Sequence, residues 1–131
     1  MSGTGLETKD IWSAITVNDI QKSLAFYVDG LGFSVVEEMK NEDGNVRFAM
    51  LSAGEAKFGI GQDDWAKGKD RKKGVGLRFW AGTTRDIHAL AARAEAAGIT
   101  LDSKVEPLPW GPLAFAVTDP DGFALTIVSE G

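Results

Sequence analysis

The sequence predicts an α+β fold built from two tandem βαβββ modules, whose strands form a curled mixed sheet around a half-barrel cleft with the helices outside. The same order of strand-like and helix-like segments occurs twice, and each copy opens with an alternating strand followed by a capped helix. A polar connection separates the two copies. We place module one at about residues 10–61, the linker at 62–74 and module two at about 75–129, within one domain spanning 1–131.

Module one begins with an alternating strand at 11–17. Asn18 and Asp19 follow as helix-capping residues, and Gly30 and Gly32 provide the positive φ at which the helix ends. Between them, apolar side chains recur at helical spacing, at Ile20, Leu24, Tyr27 and Leu31. Three further strands, separated by hairpin-like turns, are predicted at 33–39, 46–51 and 56–61.

Module two repeats this order from a strand at 75–81. Thr83 or Thr84 is the expected helix cap, and Gly98 ends the helix. The buried stripe of this helix is predicted at Ile87, Leu90, Ala91 and Ala94. The last three strands are predicted at 99–105, 113–119 and 123–129, with a D-P-D-G turn before the final one.

The repeat also predicts where a ligand would bind. One helix covers only one face of a four-stranded sheet, so a single module leaves its other face open. Two modules that pair edge to edge curl into a half-barrel whose concave face is the natural pocket. A ferredoxin-like α+β sandwich is the alternative, which the repeated spacing of one helix and four strands disfavours.

Composition limits the classes of partner. A net charge of -5 makes nucleic acid a poor partner and attracts cationic small molecules, while the cysteine-free sequence excludes disulfides and thiolate metal sites. The basic stretch at 67–74 is interpreted as a solvated connection. We expect no membrane association and a cytoplasmic location, because no apolar run has the length of a membrane span and the polar N-terminus lacks the pattern of a secretory signal.

Three stretches carry a family resemblance: ITVNDIQKSLAFYVDGLGFSVVEE, GVGLRFWAGTTRDIHALAARAEAAGI and WGPLAFAVTDPDGFALTIV. They resemble the vicinal oxygen chelate superfamily of glyoxalases, extradiol dioxygenases, fosfomycin-resistance transferases and bleomycin-resistance proteins, from about Ile11 to Val128. The resemblance implies clefts completed between modules, either within one chain or across two. The exposed sheet edges favour the second arrangement, so we expect a homodimer, in which modules exchanged between chains are one option.

The resemblance also implies a divalent metal ion held by His, Gln or Glu side chains on the first and fourth strands of each module. It places these four positions at Trp12, Gly59, Leu77 and Thr126, none of which is a usual metal ligand. The single histidine, His88, is interpreted as a solvated residue of the second helix. We therefore expect no metal ion and no other cofactor.

The pocket predicted from these positions is aromatic and mostly apolar, which suits a flat organic ligand. Its residues are the apolar Trp12, Leu77 and Phe79, Gly59 as open space, and the hydroxyls of Thr16 and Thr126. Leu77 and Phe79 fit the hydrophobic core equally well.

Two further residues have two interpretations each. Trp110 lies in a proline-rich loop and is either a stacking wall of the cleft or the anchor of a rigid loop. Arg47 shares strand parity with Ala49 and Leu51, which we assign to the cleft, so it is either a ligand for an anionic group or an edge-strand arginine that reaches water. Arg78, on the parity opposite to Leu77, is excluded from the cleft.

The expected function is that of a metal-free small-molecule binding protein of the glyoxalase/bleomycin-resistance type, which sequesters a flat aromatic or cationic compound without breaking a bond. The alternative is an enzyme of the same superfamily, of glyoxalase, isomerase or dioxygenase type, with a non-standard active site. That alternative requires an acid or base on the concave face, where Arg47 is the only charged residue that the predicted strands offer.

Overall fold

A computed structural model describes residues 4–131. The first three residues of the polar N-terminal segment, on which the argument against a secretory signal partly depends, lie outside the described residues. Module one contains β1 (Ser13–Val17), α1 (Ile20–Leu24, continued as a π-helix over Ala25–Gly30), β2 (Ser34–Lys40), β3 (Val46–Ala53) and β4 (Ala56–Gln62). Module two contains β5 (Arg78–Thr83), α2 (Ile87–Ala96), β6 (Ser103–Pro107), β7 (Leu113–Thr118) and β8 (Ala124–Ser129).

Both modules have the same sheet topology. The strand orders are β1-β4-β3-β2 and β5-β8-β7-β6, with the first and fourth strands of each module parallel and the other neighbours antiparallel. This confirms the predicted α+β fold of tandem βαβββ modules. Within the part of the chain that the structure describes, no strand ladder joins the two four-stranded sheets, so β1 and β5 are sheet edges.

An aspartate begins each helix. The Asp19 carboxylate accepts the backbone N–H groups of Gln21 and Lys22, as predicted for α1. The predicted threonine cap of α2 is wrong, because Asp86 accepts the N–H groups of the next turn while Thr83 accepts only the Arg85 N–H. A carboxylate next to the first turn offers both a hydrogen bond and a favourable charge at the positive end of the helix dipole.

A single hydrophobic core combines side chains from both modules. Each sheet contributes the face that its helix covers, here called the helix-side face. Phe58 of β4 and Phe79 of β5 meet within this core, with ring centroids 5.2 Å apart. The opposite face of each sheet, here called the open face, therefore points away from the core and is left without a covering layer by the described residues.

The helices of the described region are short. Within residues 4–131, none is both long and apolar enough to cross a membrane.

Candidate functional site

The open face of module one carries three of the predicted site residues. Ala14 is paired with Gly59 and Thr16 with Gly61, while Ile15 and Val17 between them are buried on the helix-side face. Trp12 precedes β1, continues the parity of Ala14 and Thr16, and is 45% exposed. Trp12, Thr16 and Gly59 thus belong to one open face, although whether they bind a ligand stays a prediction.

The space above Gly59 is not empty, contrary to the sequence-based expectation. Phe48 of β3 lies over it, so that a Cβ atom built on Gly59 would be 2.8 Å from Phe48 Cζ and 3.2 Å from the Ala14 Cβ. Gly61, the next residue on this face, is also adjacent to the Phe48 ring. The two glycines therefore make room for an aromatic side chain, and a larger residue at position 59 would displace it.

The open face of module two has a different composition from the predicted one. Trp80 is paired with Thr126, and the guanidinium Nη1 of Arg78 donates a hydrogen bond of 2.9 Å to Thr126 Oγ1. Phe79, by contrast, packs on Phe58 in the core, and Leu77 lies before β5 begins. Phe79 therefore belongs to the helix-side face and Arg78 to the open face, contrary to the predicted parity, whereas the role of Leu77, which is 46% exposed, stays a prediction.

This pairing also corrects the metal-ligand positions implied by the resemblance. In module one, Gly59 is paired with Ala14, and Trp12 lies two residues before Ala14. In module two, Thr126 is paired with Trp80, and Arg78 lies two residues before Trp80. Arg78, rather than Leu77, is hence the counterpart of Trp12. The four positions are thus occupied by the Trp12 indole, by Gly59, which has no side chain and lies beneath the Phe48 ring, by the Arg78 guanidinium and by the Thr126 hydroxyl.

Trp110 extends the aromatic surface of module two. It lies in the loop between β6 and β7, is 66% exposed, and has its ring centroid 6.2 Å from that of Trp80 with the planes inclined by 45°. Trp80 itself is 56% exposed. Two large aromatic side chains in contact and open to solvent form a surface that can stack on a flat ring.

Arg47 does not belong to either open face. Ala49 and Leu51, which share its parity, are fully buried on the helix-side face, so the parity assigned to this strand is wrong. Arg47 is exposed and lines a shallow depression at the start of α1 together with Asp19 and Glu38. Both parities of β3 carry apolar side chains, so hydrophobicity alone does not select one; in the structure Ala49 and Leu51 pack into the core, while Phe48 and Met50 lie beside Gly61 and Gly59 on the open face.

The linker is more ordered than its composition suggests. Lys73, expected to be solvated, has only 4% of its side chain exposed; its Nζ lies 2.9 Å from Asp63 Oδ2 and donates to Asn18 Oδ1. Lys73 also lies over the ring of Trp65, at 5.4 Å from the centroid. The Lys73 ammonium, followed by the Trp65 N–H, holds the pKa of the Asp63 carboxyl below its usual range. Trp65 therefore packs against another residue of the linker.

A buried pair connects the two modules on their helix-side faces. The Tyr27 hydroxyl donates to Asp119 Oδ2 at 2.8 Å, and the other carboxylate oxygen accepts the N–H groups of Asp121 and Phe123. Burial raises the pKa of Asp119, although these hydrogen bonds oppose the shift, and burial together with the nearby carboxylate also raises the pKa of Tyr27. The pair lies away from both open faces and acts as a structural brace.

No group of three or more His, Cys, Asp or Glu side chains within residues 4–131 is arranged to hold a metal ion. A cleft shared by two chains would take only two ligands from each, so the identities at the four positions matter more than clustering in one chain. Neither open face offers an imidazole or carboxylate at those positions. Their chemistry suits stacking and hydrogen bonding rather than coordination.

Sequence reasoning missed Trp80, Phe48 and Arg78. One signal was available for β5: an unpaired charge is costly on a buried strand face, which favours the open face for the parity of Arg78. The position of Phe48 gives no such signal, because it depends on the pairing of β3 with β4.

Comparisons with known proteins agree with this architecture. The family model described as the Glyoxalase/Bleomycin resistance protein/Dioxygenase superfamily matches residues 11–127. A probable lactoylglutathione lyase of Vibrio cholerae serotype O1 is 27% identical over 120 residues, covering 88% of this chain and 86% of the relative. A superfamily member from Sphaerobacter thermophilus is 30% identical with a TM-score of 0.70, covering 95% of this chain and 100% of that one. TioX from Micromonospora sp. ML1 has a TM-score of 0.76 at 17% identity, covering 95% of this chain and 100% of that one.

Proposed function

Because the chain belongs to the glyoxalase/bleomycin resistance protein/dioxygenase superfamily, we propose that it is a homodimeric small-molecule binding protein that holds a flat aromatic compound without a metal ion. The cleft forms between the open face of module one in one chain and the open face of module two in its partner. The observation that carries this proposal is the exposure of Trp12 on one open face and of Trp80 and Trp110 on the other.

Exposed aromatic surface on both open faces supports a cleft. Large apolar side chains that remain in water in contact with each other commonly mark a binding surface. The two faces point away from the core of their own chain, so one chain does not bring them together. The unpaired edges β1 and β5 are available to a second copy, whose symmetry would create two equivalent clefts.

The residues at the four ligand positions support binding without a metal ion. Trp12 and the Phe48 ring above Gly59 occupy the module-one positions with aromatic surface. Arg78 and Thr126 form a hydrogen-bonded pair in module two, and a guanidinium repels a divalent cation. Such a cleft would bind by stacking and by a few hydrogen bonds.

The first test is calorimetric titration of the metal-stripped protein with naphthalene derivatives that are neutral, anionic or cationic. We expect saturable binding near one ligand per chain, weakened about tenfold or more by Trp80→Ala, because a stacking partner is lost. Trp65→Ala is the matched control, since that tryptophan packs in the linker. Equal losses in the two variants, or no binding of any derivative, would contradict the proposal.

A mixing experiment tests the cross-chain cleft. Trp12→Ala and Trp80→Ala each damage both clefts of a homodimer, but a heterodimer of the two variants contains one undamaged cleft. Random mixing should therefore restore wild-type affinity to about a quarter of the clefts. If the mixture binds the ligand as weakly as each variant alone, although subunits have exchanged, each cleft lies within a single chain.

A superfamily enzyme is the second candidate. It is favoured by the Vibrio cholerae relative, a probable lactoylglutathione lyase. It is disfavoured by the absence of an imidazole or carboxylate from the four ligand positions. Formation or cleavage of lactoylglutathione, measured with nickel or zinc added in excess, tests it; turnover that depends on Trp12 and Thr126 would replace the binding proposal.

A further inference from the structure

We infer that Arg78 and Thr126 form an anion-binding subsite, so that the ligand is an aromatic carboxylate rather than a cationic or neutral compound. This inference rests on the proposed function and specifies its ligand class. The net charge of -5 would by itself favour a cationic ligand, so this inference reverses the expectation from composition.

The guanidinium is held in place and remains available. Arg78 uses Nη1 to donate to Thr126 Oγ1 at 2.9 Å, and Thr126 is only 6% exposed, so the hydroxyl is fixed by its strand. No Asp or Glu within residues 4–131 forms an ion pair with Arg78; the ion pairs found there join Arg71 and Lys73 to Asp63. Most of the five N–H donors of the guanidinium are therefore left for a ligand.

The aromatic surface lies at the right distance from this charge. Trp80 follows Arg78 by two residues on the same face of β5, which separates their positions by roughly 7 Å. A ring stacked on Trp80 would thus lie on the same face as the guanidinium, within reach of a substituent on its edge. This spacing matches a fused aromatic ring that bears a carboxylate directly.

A carboxylate fits the subsite best. A planar guanidinium pairs with two carboxylate oxygens at once, and the Thr126 hydroxyl keeps a proton that it can donate. The single positive charge of Arg78 is matched by one negative charge. The general field of an acidic protein is screened beyond about 8 Å at physiological ionic strength, so the contact at Arg78 decides selectivity.

Arg78 has one competing role, an ion pair across the dimer. Glu37 is paired with Met50 and so lies on the open face of module one, which would oppose Arg78 in the cleft. In that case Arg78 would strengthen the dimer instead of binding a ligand. Measuring dimer dissociation along with ligand affinity separates the two roles.

The test compares 2-naphthoate with its neutral isostere 2-naphthamide and with 2-naphthylmethylammonium, using metal-stripped protein. We expect the naphthoate to bind about tenfold to a hundredfold more tightly than the amide. Arg78→Met should remove this advantage, weakening the naphthoate much more than the amide, and leave the dimer dissociation constant unchanged. Arg78→Lys should keep part of the advantage, and Arg47→Met, which removes the same charge from outside the open faces, should keep all of it.

Each contrary result has a distinct meaning. Equal affinities for the three compounds, or tighter binding of the ammonium compound, would overturn the anion subsite while the binding function stands. Dissociation of the Arg78→Met dimer would assign Arg78 to the interface and overturn the inference. Binding of none of the compounds would overturn the proposed function itself, and the inference with it.

Discussion

Tyr27→Phe tests the brace between the two modules. Tyr27 is fully buried in the π-helical part of α1, and its hydroxyl bonds to Asp119 in the turn before β8. The substitution removes a single oxygen atom. The ring keeps its packing against its aromatic neighbours, with centroids 4.9, 5.7 and 5.1 Å away, at Phe26, Phe33 and Phe58. Any loss of stability therefore reports on the hydrogen bond.

The expected loss follows from the partners of Asp119. Oδ1 keeps the N–H groups of Asp121 and Phe123, each at 2.9 Å, whereas Oδ2 loses the donor from Tyr27. A hydrogen bond to a charged group contributes about 1.5–3 kcal/mol. At about 4 °C per kcal/mol for a chain of this size, the melting temperature should fall by roughly 6–12 °C.

The loss should also depend on pH. Burial raises the pKa of Asp119 in the folded protein above its pKa in the unfolded chain. The protonated form therefore stabilises the fold at pH values below the unfolded pKa, and this stabilisation is lost as pH rises through the folded pKa. Tyr27 opposes this shift by stabilising the carboxylate. Tyr27→Phe should hence cost more at pH 7 than at pH 4, where a larger fraction of Asp119 is protonated.

Urea unfolding at a fixed protein concentration, followed by tryptophan fluorescence, measures this effect. Thr118→Val is the control, because it removes an exposed hydroxyl that also bonds to a carboxylate, that of Asp102. It should cost less than about 1 kcal/mol. A Tyr27→Phe loss as small as the control, or one that is the same at both pH values, would refute the reasoning.

Two other predictions concern the linker and the register of β5. Lys73→Met should lower the melting temperature more at pH 7 than at pH 3. The pKa of Asp63 is lower in the folded protein than in the unfolded chain, so the ionised Asp63 stabilises the fold at pH values above its unfolded pKa. This stabilisation is lost as pH falls through the folded pKa. A loss that is independent of pH would show that Lys73 acts only through packing. Grafting metal ligands should create zinc affinity, detected by calorimetry, in the triple variant Trp12→His, Arg78→His, Thr126→Glu. The same graft with Leu77→His in place of Arg78→His should bind no zinc, and the reverse result would restore the original register.

Much of the fold was predictable because it depends on local patterns. The alternation of β1, the helical spacing around Tyr27 and the D-P-D-G turn each leave a period or a turn signature in the sequence. The positions of Gly59 and Thr126 were implied by the family resemblance, and both residues lie on the open faces.

The corrected residues share a physical cause. In β5, apolar side chains occur on both parities, since Phe79 and Trp80 are neighbours, so periodicity alone leaves two orientations open. The contact of Phe79 with Phe58 selects one of them and brings Arg78 to the open face. In β3, both parities again carry apolar side chains, and the packing of Ala49 and Leu51 into the core leaves Arg47 outside both open faces.

The sequence by itself determined the two modules, their helices and the order of their strands, because these features arise from interactions between residues close along the chain. Only the tertiary structure decided that the helix-side faces share one core and that the tryptophan-bearing faces point outward. That outcome depends on contacts between residues far apart in sequence, such as the bond from Tyr27 to Asp119, which no local period encodes. The composition of the candidate cleft follows from this packing.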